Sequence, residues 1–156
     1  MANISEELLR ALESDDSVEL DQVIREGKQE HFEALQSLLS MDPAVNPEHR
    51  RKALYALGRW GDSTSVTIIN SLLPQLDEGE RITAVDALGR LGTPEALSGV
   101  LNHVTDSSPH VRKFAVRALG RIDTPEAQAK LKEIEANETV DYVRALAAKY
   151  SKPGGQ

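Results

Sequence analysis

The sequence contains no cysteine and few aromatic residues. Without cysteine, the 156-residue chain can form neither disulfides nor thiolate zinc sites, and it has no cysteine nucleophile. Phe, Trp and Tyr make up only 4% of the residues, so the core must be built from Leu, Ala, Val and Ile. No apolar run approaches the ~20 residues that span a bilayer, and the first residues lack the basic and apolar regions of a secretory signal. These absences predict a cytoplasmic protein.

The sequence also lacks recognisable catalytic, metal-binding and nucleotide-binding motifs. The histidines form no zinc motif, and we interpret them as solvated surface side chains. They are His31, His49, His103 and His110. The acidic run Glu13-Ser14-Asp15-Asp16 has neither the glycine nor the closing glutamate of a calcium loop. We interpret Trp60 and Tyr142 as packing residues, and we expect a protein that is not an enzyme and holds no cofactor or metal.

The charge balance argues against nucleic acid and anionic membranes as partners. Lysine and arginine total 18 residues and aspartate and glutamate total 25, which gives a net charge of −7. The overall field of such a protein repels polyanions. We therefore expect no membrane partner, and we regard nucleic acid as a poor candidate.

What the sequence does contain is an internal repeat. The tetrapeptide Ala-Leu-Gly-Arg occurs at residues 56–59, 87–90 and 118–121, so each copy lies 31 residues after the previous one. A constant period in this range is typical of stacked helical repeats. The glycine of each copy lies inside or at the end of a predicted helix, where glycine is unfavourable. We therefore expect a neighbouring helix to approach closely at these glycines.

Each copy is predicted to form two helices. Apolar residues follow steps of three and four along residues 81–91, and the sequence Gly92-Thr93-Pro94-Glu95 then ends one helix and begins the next. The whole chain is predicted to be all-α, a right-handed α-solenoid of about five stacked antiparallel helix pairs. We expect residues 1–28 to form diverged N-terminal capping helices, residues 29–150 the repeat array, and residues 151–156 a disordered tail, within a single domain.

The segment Val111–Ala127, with the sequence VRKFAVRALGRIDTPEA, resembles the HEAT-like repeat of phycobilin lyase subunits and of many bacterial HEAT proteins. The resemblance implies that the second helix of each pair, over residues 48–59, 79–91, 110–122 and 140–150, lines the inner, concave face. It also implies a structural ladder, in which an aspartate before the second helix and an arginine near its start connect neighbouring repeats. The residues that fit this ladder are Arg50, Arg81, Asp106, Arg112 and Arg144.

A further set of residues lies outside the apolar stripe of the second helices. Spacings of three and four place them on one face of each helix, and stacking aligns them across the repeats. They are Lys52, Tyr55, Arg59, Asp86, Arg90, Phe114, Arg117 and Arg121. We call this set the basic ribbon. Because arginine and aromatic residues are enriched at binding hot spots, the ribbon is a candidate surface for an acidic segment of a protein partner.

The sequence leaves three functions open. The first is a non-catalytic adaptor or scaffold that binds an acidic or amphipathic partner segment on the concave face. The second, implied by the resemblance, is an accessory subunit or chaperone of a bilin-lyase-type enzyme that acts on phycobiliproteins. The third is nucleic-acid binding. Arg59, Arg90 and Arg121 also have a purely structural explanation, since arginines in a last helical turn compensate the helix dipole. The oligomeric state stays open as well.

Overall fold

A computed structural model describes residues 4–153 as a row of ten α-helices, with no strand in that range. The helices are α1 (Glu6–Glu13), α2 (Val18–Glu26), α3 (Gln29–Ser37), α4 (Pro47–Trp60), α5 (Ser65–Leu72), α6 (Glu78–Leu91), α7 (Pro94–Leu101), α8 (Pro109–Ile122), α9 (Pro125–Asn137) and α10 (Asp141–Tyr150). A short 3-10 helix, Leu73–Gln75, follows α5. The helices form five consecutive pairs, and the two members of each pair pack against each other. The prediction of an all-α solenoid of helix pairs is confirmed.

The turn signals in the sequence begin and end helices as predicted. Thr93 caps α7 by accepting a hydrogen bond from the Ala96 amide at 3.1 Å, and Pro94 occupies the first turn, where no amide donor is needed. α6 ends at Leu91, and the next residue, Gly92, has a φ of 66°, in the left-handed region that suits glycine. After α8 the same position holds Asp123 with a φ of 53°, a conformation that aspartate adopts more readily than most residues.

The second helices of the pairs form one tightly packed layer, in which α4 packs against α6, α6 against α8, and α8 against α10. The repeat glycines allow this spacing. A Cβ atom added to Gly58 would lie 2.7 Å from the Cα of Ala87, and one added to Gly89 would lie 2.6 Å from the Cβ of Ala118. The close approach expected at these glycines is therefore present. In the layer of first helices within residues 4–153, only α5 and α7 make more than marginal contact with each other.

The two aromatic residues interpreted as packing residues differ in burial. Trp60 is half-buried against the core, with its ring centroid 5.5 Å from that of Phe32. Tyr142 is 45% exposed and stacks on His110 at a centroid distance of 6.3 Å. The core itself is aliphatic, as the shortage of aromatic residues requires.

The interpretation of the histidines as solvated side chains is wrong for His31. This side chain is 1% exposed, and its Nε2 lies 3.1 Å from the Ser5 hydroxyl, which also caps α1. Ser5 and Glu7, at the start of α1, lie against the His31 ring, a contact that the irregular first third of the sequence does not reveal. His110 is exposed, while His49 and His103 are half-buried.

The beginning of the predicted tail contacts the last repeat. The Lys152 amide donates to the Gln128 side chain at 2.9 Å, and the Lys152 ammonium pairs with Asp123. Residues 154–156 of the tail, like residues 1–3 of the predicted capping unit, lie outside the described residues.

Candidate functional site

Four arginines near the start of the second helices make the same contact in successive repeats. They are Arg50, Arg81, Arg112 and Arg144. Each one donates from NH1 to a main-chain carbonyl in the turn before its own helix, at 2.8–3.1 Å. The guanidinium groups therefore hold the turns between the two helices of each pair and are fixed in orientation.

Three of these arginines also pair with a carboxylate of the following repeat. Arg81 binds both oxygens of Asp106 at 3.0 and 3.2 Å, and Arg112 binds both oxygens of Glu138 at 3.0 and 3.1 Å. Such bidentate pairs constrain position as well as charge. The ladder residues thus set the register between neighbouring repeats.

The ladder pair formed by Arg50 and Glu80 is the most deeply buried. Its side chains are 8% and 4% exposed, and the shortest N–O distance is 2.7 Å. Glu80 also accepts from the Asp77 amide, which completes a capping box at the start of α6. Arg144, by contrast, pairs with Asp141 of its own helix at 2.6 Å, and the Asp141 side chain is 90% exposed.

Two ladder carboxylates titrate at lower pH than free carboxylates. Burial alone would raise the pKa of Asp106, but hydrogen bonds from the Ser108 amide and the Arg81 guanidinium outweigh burial and hold this pKa below its ordinary 3.8. At Glu138, burial also acts to raise the pKa. The hydrogen bond from Arg112 acts in the opposite direction and helps to hold this pKa below its ordinary 4.5. Both side chains are therefore ionised at neutral pH.

The first helix pair contacts one end of the basic ribbon. Lys52 donates to the main-chain carbonyls of Leu12 and Ser14, at 2.7 and 2.6 Å, where α1 ends. The Tyr55 hydroxyl donates to Asp21 of α2 at 2.9 Å, and burial together with this bond raises the pKa of Tyr55. The polar groups of Lys52 and Tyr55 therefore connect the first pair to α4.

Asp86 lies at the centre of the ribbon, among three arginines of consecutive second helices. Its carboxylate lies 3.0 Å from Nε of Arg90 on α6, 3.6 Å from NH1 of Arg121 on α8, and 3.9 Å from NH1 of Arg59 on α4. We call these four residues the arginine cluster. Three positive charges against one negative charge leave an excess of two positive charges at a site where the side chains are 18–38% exposed.

Several guanidinium groups of the ribbon have no hydrogen-bond acceptor within residues 4–153. Arg90 donates to Asp86, whereas Arg59, Arg117 and Arg121 donate no hydrogen bond to that part of the chain. Arg59 instead stacks on the Tyr55 ring, with Cζ 3.5 Å from the centroid. Burial, followed by the charge of Arg90, lowers the pKa of Arg59. Within residues 4–153, the cluster therefore carries more positive charge than the carboxylate paired with it can neutralise.

Phe114, the aromatic residue of the basic ribbon on α8, offers less of its ring to a partner than a fully exposed aromatic residue would. Phe114 is half-buried against the core, and the Arg117 guanidinium lies 5.1 Å from its ring centroid. The structure therefore brings Arg59, Asp86, Arg90 and Arg121 together, while Phe114 and Arg117 form a separate stacked pair beside them.

Sequence reasoning included Asp106 among the ladder residues but missed the other acidic partners, Glu80, Glu138 and Asp21. Glu80 and Glu138 follow their ladder arginines by 30 and 26 residues, respectively, so no constant offset marks them. A search for any acidic residue at the start of the next second helix would have found both. No sequence signal connects Asp21 with Tyr55, because the contact joins the irregular first pair to the array.

Metal ligation and membrane insertion find no support in the described part of the chain. Residues 4–153 contain no group of three or more His, Asp or Glu side chains that could hold a metal ion. In the same range, no helix combines the length and the apolar character needed to cross a membrane.

Comparison with known proteins agrees with the repeat architecture. The family described as HEAT repeats matches the chain over residues 32–101 and again over residues 67–150. No curated protein matches the chain. The narrower likeness to phycobilin lyase subunits stays a prediction. Because the matched segments cover more than half of the chain, the protein belongs to the HEAT repeat family.

Proposed function

We propose that this protein is a non-catalytic adaptor or scaffold that binds an acidic or amphipathic segment of another protein along the basic ribbon. HEAT repeats generally mediate protein–protein interaction, and proteins built from them are typically scaffolds without catalytic activity. The ribbon, the acidic partner segment and a cytoplasmic location belong to the proposal. The observation that carries it is the arginine cluster, whose positive charge exceeds that of its single carboxylate.

The packing of the two layers supports the choice of the second-helix face. α4, α6 and α8 lie close together because glycine and alanine face each other between them. The first helices are spaced more widely within the described residues, where only α5 and α7 make more than marginal contact. A row of helix pairs curves toward its more tightly spaced layer, and a concave surface offers a partner segment contacts with several repeats at once.

The position of the guanidinium groups favours a binding role over simple compensation of the helix dipole. An arginine that only compensates a dipole lies beside the last carbonyls of its own helix. The guanidinium groups of Arg59 and Arg121 instead lie near Asp86, a residue of a different helix. Their charges are thereby gathered at one point on the ribbon, where an acidic segment can meet them together.

The overall charge of the protein also supports a binding role for the cluster. The protein carries a net charge of −7, so the excess positive charge of the cluster is opposite in sign to the overall charge. Electrostatic complementarity raises the association rate and selects against partners of the wrong charge. The alternative role beside a bilin lyase rests on the resemblance of the repeat alone.

The test uses a fluorescently labelled oligoglutamate peptide and the double variant Arg90→Glu/Arg121→Glu. We expect the wild-type protein to bind the peptide in a fluorescence polarisation titration and the double variant to lose most of this affinity. The control variant Arg25→Glu/Lys132→Glu changes the net charge equally at exposed positions outside the ribbon. Equal affinity in the two double variants, with both folded by circular dichroism, would contradict the proposal.

A further inference from the structure

We infer that the arginine cluster is a recognition site for a phosphorylated serine or threonine within the partner segment. This inference rests on the proposed function, because it names the chemical group that the centre of the ribbon receives. The group must offer more negative charge and more acceptor atoms than a single carboxylate, and the cluster has three features that select for it.

The first feature is charge. Arg59, Arg90 and Arg121 surround one carboxylate at 3.9, 3.0 and 3.6 Å, so within ion-pair distance the described residues offer one negative charge to three positive charges. A phosphoserine or phosphothreonine side chain carries about −1.5 to −2 charges at neutral pH. A glutamate carries one, so the phosphoryl group is the better electrostatic match.

The second feature is the number of free donors. Arg59 and Arg121 donate no hydrogen bond within residues 4–153, and Arg90 uses one donor on Asp86. The guanidinium groups come from three neighbouring helices, and each has a nitrogen within 4 Å of the Asp86 carboxylate. A phosphoryl group presents three terminal oxygens and can accept from all three, whereas a carboxylate has only two oxygens.

The third feature is that two of the three arginines are held in place before any ligand binds. The Tyr55 ring supports Arg59 from one side at 3.5 Å, and Asp86 fixes Arg90 through a hydrogen bond of 3.0 Å. Like charges held together in this way repel one another, and the pKa of Arg59 is lowered first by burial and then by the charge of Arg90. A bound dianion relieves the repulsion without a large loss of side-chain entropy.

Asp86 acts as a positioning residue in this scheme and competes with the ligand. It gathers the three arginines when the site is empty, and it repels the phosphoryl group when the site is filled. The substitution Asp86→Asn therefore has the opposite effect from the substitution of an arginine, which distinguishes recognition from a structural role.

The probes are three synthetic peptides of aspartate and glycine that are identical except at the central position, which holds phosphoserine, glutamate or serine. Binding is measured by isothermal titration calorimetry. We expect the phosphoserine peptide to bind about tenfold more tightly than the glutamate peptide, as expected for added charge-assisted hydrogen bonds. The serine peptide binds most weakly.

The variants Arg121→Gln and Arg59→Gln should each abolish most of the preference for phosphoserine, and Asp86→Asn should tighten phosphoserine binding several-fold. Arg25→Gln, at an exposed position on α2, should change nothing. Thermal unfolding identifies any variant that does not fold, and the two arginine variants provide independent tests.

The outcomes separate the inference from the proposed function. If the phosphoserine and glutamate peptides bind the ribbon equally well, the phosphoryl preference is refuted while acidic docking stands. If phosphoserine binding persists unchanged in both arginine variants, the site lies elsewhere and the inference is wrong. If none of the peptides binds, both the inference and the proposed function fail.

Discussion

At the scale of single residues, charge has two separate uses in this protein. The ladder arginines use their hydrogen-bond donors within the protein. Each binds a turn carbonyl, and three of them also bind a carboxylate of the next repeat. The arginines of the cluster are 27–38% exposed and share one carboxylate. The two sets have the same residue type on the same helices, yet only the second has donors to spare for a partner.

The buried ladder pair should be sensitive to the loss of one charge. In Glu80→Gln the amide keeps its role as a helix-capping acceptor, but the Arg50 guanidinium is left buried without a counter-charge. Breaking such a pair costs roughly 3–5 kcal/mol of the free energy of unfolding. Urea unfolding followed by circular dichroism measures the loss.

The exposed pair at the other end of the ladder provides the control. Asp141→Asn removes a carboxylate that is 90% exposed, and exposed ion pairs contribute at most about 1 kcal/mol. A destabilisation by Glu80→Gln that is no larger than that of Asp141→Asn would show that the buried pair does not hold the repeats together.

The lowered pKa values of Asp106 and Glu138 predict how stability depends on pH. Because their folded-state pKa values lie below the ordinary 3.8 and 4.5, the unfolded state binds more protons in acid. Their contribution is fully present above the unfolded-state values and is lost as the pH falls through the folded-state values. We expect the free energy of unfolding to fall below about pH 4.5.

Glu138→Gln isolates one of these carboxylates. The variant should be less stable than the wild type at pH 7, and the difference should shrink in acid as the wild-type Glu138 takes up its proton. A difference between the two proteins that stays constant from neutral pH to pH 3 would contradict the role assigned to this carboxylate.

At the scale of helices, the sequence predicts the elements better than their partners. The 31-residue period and turn signals such as Gly92-Thr93-Pro94 reveal the helix pairs, because they depend on local backbone preferences and regular packing. The burial of His31 and the bond from Tyr55 to Asp21 could not be predicted, because both involve the first helix pair, which does not follow the period. The cluster was predicted as a set of aligned residues, but its convergence on Asp86 depends on side-chain directions that spacing does not specify.

A glycine of α6 should tolerate substitution by alanine only where no neighbouring helix approaches it. In Gly89→Ala the new Cβ would lie 2.6 Å from the Cβ and 2.8 Å from the Cα of Ala118, so α6 and α8 must move apart. Overpacking of this kind costs roughly 1–3 kcal/mol, which outweighs the gain of about 1 kcal/mol in helix propensity. We expect a lower thermal unfolding midpoint.

Gly79→Ala is the matched control within the same helix. A Cβ at this position would meet only the Asp77 carboxylate oxygen at 3.6 Å, an ordinary contact. The variant should be unchanged or slightly more stable, because alanine favours the helix. If Gly89→Ala were as stable as Gly79→Ala, the close approach of α6 and α8 would not require glycine.

At the scale of the whole molecule, the tight spacing of the second helices produces the candidate binding surface. The glycine contacts that bring α4, α6 and α8 together also bring Arg59, Asp86 and Arg121 within reach of one another. The first helix pair extends this surface, since Lys52 and Tyr55 hold it against α4. Packing and the proposed recognition surface therefore depend on the same repeat, so a period in the sequence also predicts which side chains align across the helices.

The most direct test of this account is an NMR titration of the arginine side-chain Nε–Hε signals with the oligoglutamate peptide. We predict that the signals of Arg59, Arg90 and Arg121 shift together with one dissociation constant, while those of the ladder arginines and of Arg25 stay in place. Shifts that spread evenly over all arginines, or that leave the cluster unaffected, would contradict the claim that the aligned second helices form the binding surface.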